Sequence, residues 1–412
     1  MPILPESAYQ IKLPAMFKVK QCFPDEKIDD IPGTVSNEIS KDAIKSRIPS
    51  GSSVAVLVGS RGISNLKEIV KSTVECLKQL GAKPFIIPAM GSHGGATAEG
   101  QKEILEGYGI TEKYIGVPIR SSMETVIIGH TSEGVPVHID KIASKADVIV
   151  PVARVKVHTD YDAPIESGLC KMLAIGLGKH NGCSRLHQEG FREFPTLIPA
   201  VAKIILDRTY VGFGIAIIEN AHENIHMIRA VSGTDFLEEE PKLLAVSKSL
   251  MPRLQFDEID VLIVEQIGKD ITGAGMDPNI TGKMSVGPIK DFAGPKIKRI
   301  VVLGLSEGTH HNATGIGIAD FITKNVYDSI DLLSTYANCI ASGNPEAGKI
   351  PVMLDTEREA ILAALQTCPK TDTANPKIVR IKDTLHLVDI EVSESLLEYC
   401  KASDRFVVKS SL

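Results

Sequence analysis

Short apolar runs alternate along this chain with helix-length amphipathic segments, and that alternation narrows the choice of architecture. Residues 54–58 read as a buried strand, and 65–80 follow as a helix whose first free N–H groups Ser64 or Asn65 can cap. Residues 85–88 form the next strand, followed by the glycine-rich turn MGSHGG and a helix from about Thr97. Residues 125–129 and 135–140 read as a hairpin. Further strands are expected at 147–150, 214–218, 260–264 and 300–303, and helices at 195–206, 236–250, 328–341 and 356–365. Strands that alternate with helices fold as parallel sheets with helical cover.

A chain of 412 residues exceeds what one core usually supports, about 250–300 residues. Two domains are therefore expected, with the boundary near 250–260, where a helix ends in Met-Pro-Arg and a strand begins. Residues 1–255 form an N-terminal cofactor-binding domain and 256–390 a C-terminal α/β domain. A last helix within 391–412 packs back on the first. The fold class is α/β, each domain a mainly parallel sheet covered by helices, with the active site in the cleft between them.

A hydrophobic content of 43% with 23% charged residues is that of a packed chain. The net charge of −6, with no run of Lys or Arg, argues against nucleic acid as the main partner, since phosphate binding needs a clustered basic face. A small anion needs only one local basic pocket. No stretch approaches the roughly 18–20 apolar residues of a membrane span, and the N-terminus shows no basic segment followed by an apolar one. A cytoplasmic protein is expected. Its seven cysteines are scattered, with no C-x-x-C pair, which fits reduced thiols and neither a disulfide frame nor an iron–sulfur cluster.

In open parallel sheets, ligands bind beyond the carboxyl ends of the strands. Arg61, in VLVGSRGIS, follows the first strand, His93, in AMGSHGGAT, the second, and His158 the 147–150 strand. A loop arginine or a lone loop histidine often has only a structural role. Three such groups at strand ends make a site the stronger reading, and the two histidines supply two proton-transfer positions. Lys171 lies in the apolar, glycine-spaced ESGLCKMLAIGLGKH. It either snorkels to water or, if buried, becomes a better nucleophile because desolvation disfavours its charged form. His187 stands sixteen residues on. His180, in a turn, reads as structural, and Cys170 and Cys183 read as buried fillers rather than metal ligands.

In the second half, GKDITGAGMDPNITGK reads as a binding loop, in which Lys269 and Lys283 either grip a carboxylate or are ordinary surface lysines. His310 and His311 follow strand 300–303. Adjacent histidines seldom converge on one metal.

These residues, in this order, resemble the nickel-dependent lactate racemase family. There a strand-end arginine is followed by a G-x-H-R turn, a histidine, a glycine-preceded lysine tethered to the cofactor, and a nickel-binding histidine sixteen residues after that lysine. The counterparts are Arg61, His93 in GSHGG, His158, Lys171 in GLCK, and His187. The chain departs from the family in VGSRGI for D-D-x-T-R-P, in Gly94 for the arginine after the histidine, and in the loop around Lys269 and Lys283. These departures indicate a divergent branch of nickel-pincer-dependent isomerases.

The resemblance implies a covalently attached nickel-pincer nucleotide (pyridinium-3-thioamide-5-thiocarboxylic acid mononucleotide with nickel). Lys171 would be its tether and His187 its metal ligand, with Arg61, Ser60 and Gly168 beside it. Nickel(II) favours square-planar surroundings, in which the pincer leaves one in-plane position for His187. The implied activity is racemisation or epimerisation of a 2-hydroxy acid or sugar acid by proton-coupled hydride transfer. His93 and His158 would act as alternate bases, and Arg61, Lys269 and Lys283 would bind the substrate carboxylate. Implied partners are that small carboxylate and the proteins that make the cofactor; a second copy of the chain is left open.

Two other readings stand beside this one. The first is a zinc-dependent hydrolase built on His158, His180, His187 or the 310–311 pair, which lacks a motif such as H-E-x-x-H. The second is a non-catalytic nucleotide- or anion-binding protein. No G-x-G-x-x-G follows a strand, which argues against an ordinary NAD-dependent dehydrogenase.

Overall fold

The structure, a computed structural model, describes residues 4–60, 62–285 and 294–409. Its strands are β1 (Met16–Gln21), β2 (Ser53–Val58), β3 (Lys83–Pro88), β4 (Thr125–His130), β5 (Pro136–Asp140), β6 (Val148–Arg154), β7 (Phe213–Glu219), β8 (Ile225–Ser232), β9 (Glu258–Val264), β10 (Lys296–Val302), β11 (Phe321–Thr323), β12 (Val352–Leu354), β13 (Ile378–Ile381), β14 (Asp389–Ser393) and β15 (Phe406–Val408). The chain divides into two compact units, Asp25–Met251 and the combination of Met1–Pro24 with Pro252–Leu412. Both are α/β.

In the unit Asp25–Met251 the sheet runs in the order β3-β2-β6-β7-β8. It is parallel from β3 to β7 and ends in antiparallel β8. Every residue from Val54 to Val58 is buried, as a strand covered on both faces requires. On one face Val54, Val56 and Val58 share a core with Ile69, Val70 and Leu77 of the helix Leu66–Gln79. Each such side chain contributes about 1.5–3 kcal/mol by leaving water. That helix is not capped as its sequence predicts. Asn65 adopts φ +53° and makes no side-chain cap, and the backbone N–H of Ser64 donates to Glu219 Oε1 at 2.8 Å. The hairpin β4–β5 forms as expected.

The other unit carries an eight-stranded sheet, β12-β11-β10-β9-β13-β14-β1-β15. It is parallel from β12 to β13 and antiparallel beyond. Residues 1–24 were expected in the first domain, yet β1 pairs here with β14 and β15. This pairing joins segments more than 350 residues apart, and local pattern carries no trace of it. The terminal helix Glu394–Lys401 packs on β1, β14 and β15 of this same unit, through buried Leu396 and Cys400. The expected helix 328–341 is two helices, Lys324–Ser329 and Leu332–Ala341, because Asp331 caps the second through Leu333 N (3.0 Å) and Ser334 N (3.1 Å). Among the described residues, no helix is long and apolar enough to cross a membrane.

Candidate active site

Three adjacent parallel strands, β3, β2 and β6, end on the same edge of the sheet of unit Asp25–Met251. The loops that leave them carry Ser60, His93 and His158; Arg61 lies outside the described residues. The Ser60 hydroxyl contacts His93 Nδ1, and Tyr108 Oη donates to the Ser60 carbonyl at 2.5 Å. Ser60, expected beside a cofactor, thus orients an exposed imidazole.

Behind His93 the chain makes a turn that glycine alone accommodates. Gly94 has φ +66°, and a Cβ there would meet the Gly100 carbonyl carbon at 2.5 Å and Gln101 N at 2.6 Å. Gly94→Ala should therefore lower stability by about 2 kcal/mol or more, from overpacking and the left-handed backbone together. Urea unfolding measures this, and an unchanged midpoint would contradict the close backbone packing.

His158 sits in a loop closed by reciprocal bonds between Lys156 and Ser167, N to O at 2.9 and 3.1 Å. Its ring lies 4.4 Å from that of buried Tyr161 and 6.0 Å from that of Phe191. His158 Nδ1 faces two groups of Asp160, the backbone N–H at 3.0 Å and carboxylate Oδ2 at 3.5 Å.

Lys171 ends a short helical turn, Leu169–Lys171, which runs into the π-helical turn Met172–Gly176 and then the helix Lys179–His187. π-turns inside helices recur at functional sites because the extra residue re-aims side chains. Beneath Lys171, Cys170 N donates to the fully buried Glu240 at 2.8 Å, and burial pushes that carboxyl up to about 7. Glu240 Oε1 has no hydrogen-bond partner among the described residues. A Cβ on Gly168 would fall 2.3 Å from that oxygen, so glycine is what lets the carboxyl lie against the turn.

His180 is in the helix Lys179–His187, not a turn, and is exposed. His187 Nδ1 lies 2.7 Å from the Cys183 carbonyl, an acceptor only. Nδ1 therefore holds the hydrogen, and Nε2 of the neutral ring keeps its lone pair. Burial works against a charged His187, but its bonds and charge interaction with Cys183 outweigh burial and raise its pKa; the nearby Lys171 ammonium opposes the rise. Burial raises the Cys183 thiol, and its contacts with His187 and Ser92 more than offset this. Phe191 joins the two halves of the site, with its ring 5.6 Å from His187 and 6.0 Å from His158.

The remaining candidates belong to the other unit. Lys269 Nζ donates to Asn338 Oδ1. Lys283 Nζ pairs with Asp320 Oδ2 at 2.6 Å and bonds the Lys298 carbonyl at 3.3 Å. His310 and His311 are exposed and left-handed, and His311 bonds the Ser329 carbonyl at 3.0 Å. Among the described residues, no three of His, Cys, Asp and Glu are grouped to hold a metal ion by themselves.

Glu166 and Glu240 did not emerge from the sequence. Glu240 left one signal, since it is four residues after Phe236 and three before Leu243 on the buried stripe of its helix. Glu166 left none.

Known proteins share this fold. The crystal structure of a Thermotoga maritima protein aligns with a TM-score of 0.53 at 13% identity, covering 89% of this chain and 99% of that one. The lactate racemase apoprotein from Thermoanaerobacterium thermosaccharolyticum aligns with a TM-score of 0.53 at 13% identity, over 91% of this chain and 99% of that one. These likenesses establish the fold. No curated protein matches the chain. Residues 13–194, which span the loops bearing Ser60, His93, His158, Lys171 and His187, match the model of the lactate racemase N-terminal domain.

Proposed function

We propose that the protein is a racemase or epimerase of a small 2-hydroxy acid or sugar acid, working with a nickel-pincer nucleotide tethered to Lys171. The observation that carries this reading is His187, sixteen residues after Lys171, whose Nε2 lone pair is left open while Nδ1–H is engaged by a carbonyl. Histidines that bind metals are usually held this way, the second ring nitrogen donating to an oxygen. With no self-sufficient group of three protein ligands among the described residues, a metal here would take most of its donors from a bound group. The residues fit that group: Lys171 as tether, His187 as the single protein ligand. When bound, it would supply a reversible acceptor for the hydrogen on the substrate's alcohol carbon.

The chain's own part is proton handling. His93 Nδ1 meets a hydroxyl, which can donate or accept, and His158 Nδ1 meets both a donor and an acceptor of Asp160. His93 can therefore carry its hydrogen on either nitrogen. The resting His158 ring, with the Asp160 N–H at Nδ1, carries its hydrogen on Nε2, and taking up or returning a proton at Nε2 goes with a turn of Nδ1 to Asp160 Oδ2. Inversion of a stereocentre needs two such groups, because the two isomers direct their hydroxyls differently. Arg61 and Lys269 are the proposed carboxylate partners. Lys283 is weaker in that role, as Asp320 already neutralises it.

The test is a panel of 2-hydroxy acids and sugar acids assayed for loss of optical activity with protein from its native host. His93→Gln and His158→Gln should each lower the rate by about 10²–10⁴-fold. Full activity in either variant would remove that histidine from the mechanism.

A further inference from the structure

We propose that Glu166, held by Lys248, is the positioning residue of His158, fixing the backbone from which that imidazole works. This rests on the reading of His158 as a proton-transfer group. Glu166 is completely buried, and its carboxylate is the hub of the loop between Lys156 and Ser167. It accepts from the His158 backbone N–H at 2.6 Å and from Ala163 N at 3.4 Å. Its own carbonyl accepts from Tyr161 Oη at 3.0 Å, and the Tyr161 ring lies against His158. One residue thus holds both the main chain of His158 and the aromatic surface beside its ring.

A buried carboxylate is costly unless its charge is met. Lys248 meets it, with Nζ 2.8 Å from Glu166 Oε1 and 2.7 Å from Asp162 Oδ1. Burial raises the Glu166 carboxyl, and Lys248 is the chief group opposing the rise. Lys248 lies on the helix Phe236–Leu250, the same helix that sends Glu240 under the Lys171 turn. Eight residues, about two turns, separate the two. One helix therefore anchors the loop of the proposed proton carrier and the turn of the proposed tether.

The consequence concerns the ring. With the His158 N–H fixed on Glu166, the Asp160 N–H is brought to His158 Nδ1, which places the ring hydrogen on Nε2. Loss of the carboxylate frees the loop and lets the ring exchange between Asp160 N–H and Asp160 Oδ2.

The experiment is ¹⁵N NMR of histidine-labelled full-length protein, with the His158 signals assigned by their loss in His158→Gln. Wild type should show a single Nε2–H tautomer at His158. Glu166→Ala should shift those nitrogens toward averaged values while the His93 signals stay in place. Lys248→Ala, at a side chain 41% exposed and therefore a mild change to the fold, should move them in the same direction. On the cofactor-loaded protein, with lactate as the probe, Glu166→Ala should lower kcat on the order of 10²-fold with KM little changed, as for a misplaced reacting group. Glu166→Gln, which keeps an acceptor for the His158 N–H, should recover part of the loss. Unchanged His158 signals in both Glu166→Ala and Lys248→Ala would overturn the proposal. Shifted signals in a protein whose wild type turns over no hydroxy acid would uphold the positioning and sink the racemase reading instead.

Discussion

Replacing Lys171 by alanine is expected to leave the chain at its unmodified mass, where protein from the native host otherwise carries an addition of nucleotide size on the peptide containing Lys171. The reason is geometric. The lysine follows a glycine that lies against a buried carboxyl, and it stands at the junction of a helical and a π-helical turn. Its side chain is half-buried. A tether needs a fixed Cα, and the junction of the two turns supplies one. With the tether gone, the chemistry the group would supply goes too, and a rate enhancement on the order of 10⁶-fold or more is lost. Lys179 provides the control. It is fully buried between the Pro88 carbonyl, Gln101 and Asp140, so it is held for packing and has no free amine to offer. An unmodified Lys171 peptide from active protein would refute the assignment; a nucleotide-sized addition on any other lysine would relocate the site.

Much of this arrangement is legible in the sequence because it is local. Strands β2, β3, β6, β7, β9 and β10 read as apolar runs, the helix Phe236–Leu250 as an amphipathic segment, and the loops with Ser60, His93 and His158 as carboxyl-end loops, whereas β1, β8 and the short strands β11 to β15 did not stand out. Each of these signals lies within one turn or one strand. What was not legible depends on contacts between distant segments. Strand β1 joins a sheet built largely from residues after 252. Lys283 looks like a free cation in its glycine-rich loop until Asp320, 37 residues on, is found beside it. Glu166 reads as an ordinary polar loop residue, since nothing near it in sequence reveals that Lys248 will cover it. His180 reads as structural in a turn, and His187 is singled out only by its spacing from Lys171. The helix separates them: His180 faces solvent, while His187 packs 5.2 Å from the Phe194 ring.

That contrast makes His187 the residue whose replacement should cost the most metal. Its Nδ1–H is committed to the Cys183 carbonyl one helical turn back, its faces meet Phe191 and Phe194 edge-on, and only Nε2 is left to bind. A ring held on three sides is already organised for a ligand at the fourth, so metal binding orders little more of the chain. His187→Ala should therefore remove nearly all nickel retained through dialysis, read as metal per chain by elemental analysis, without preventing attachment at Lys171. His180→Ala, on the exposed face of the same helix, should retain nickel as wild type does. The fold should survive the His187 change, because the buried anchors of that helix are Cys183 and Leu186. If nickel remained at the wild-type ratio in His187→Ala, the metal would be held elsewhere and the imidazole would be only part of the aromatic packing. If nickel and the Lys171 modification were lost together, His187 would be needed for loading as well as for holding the ion.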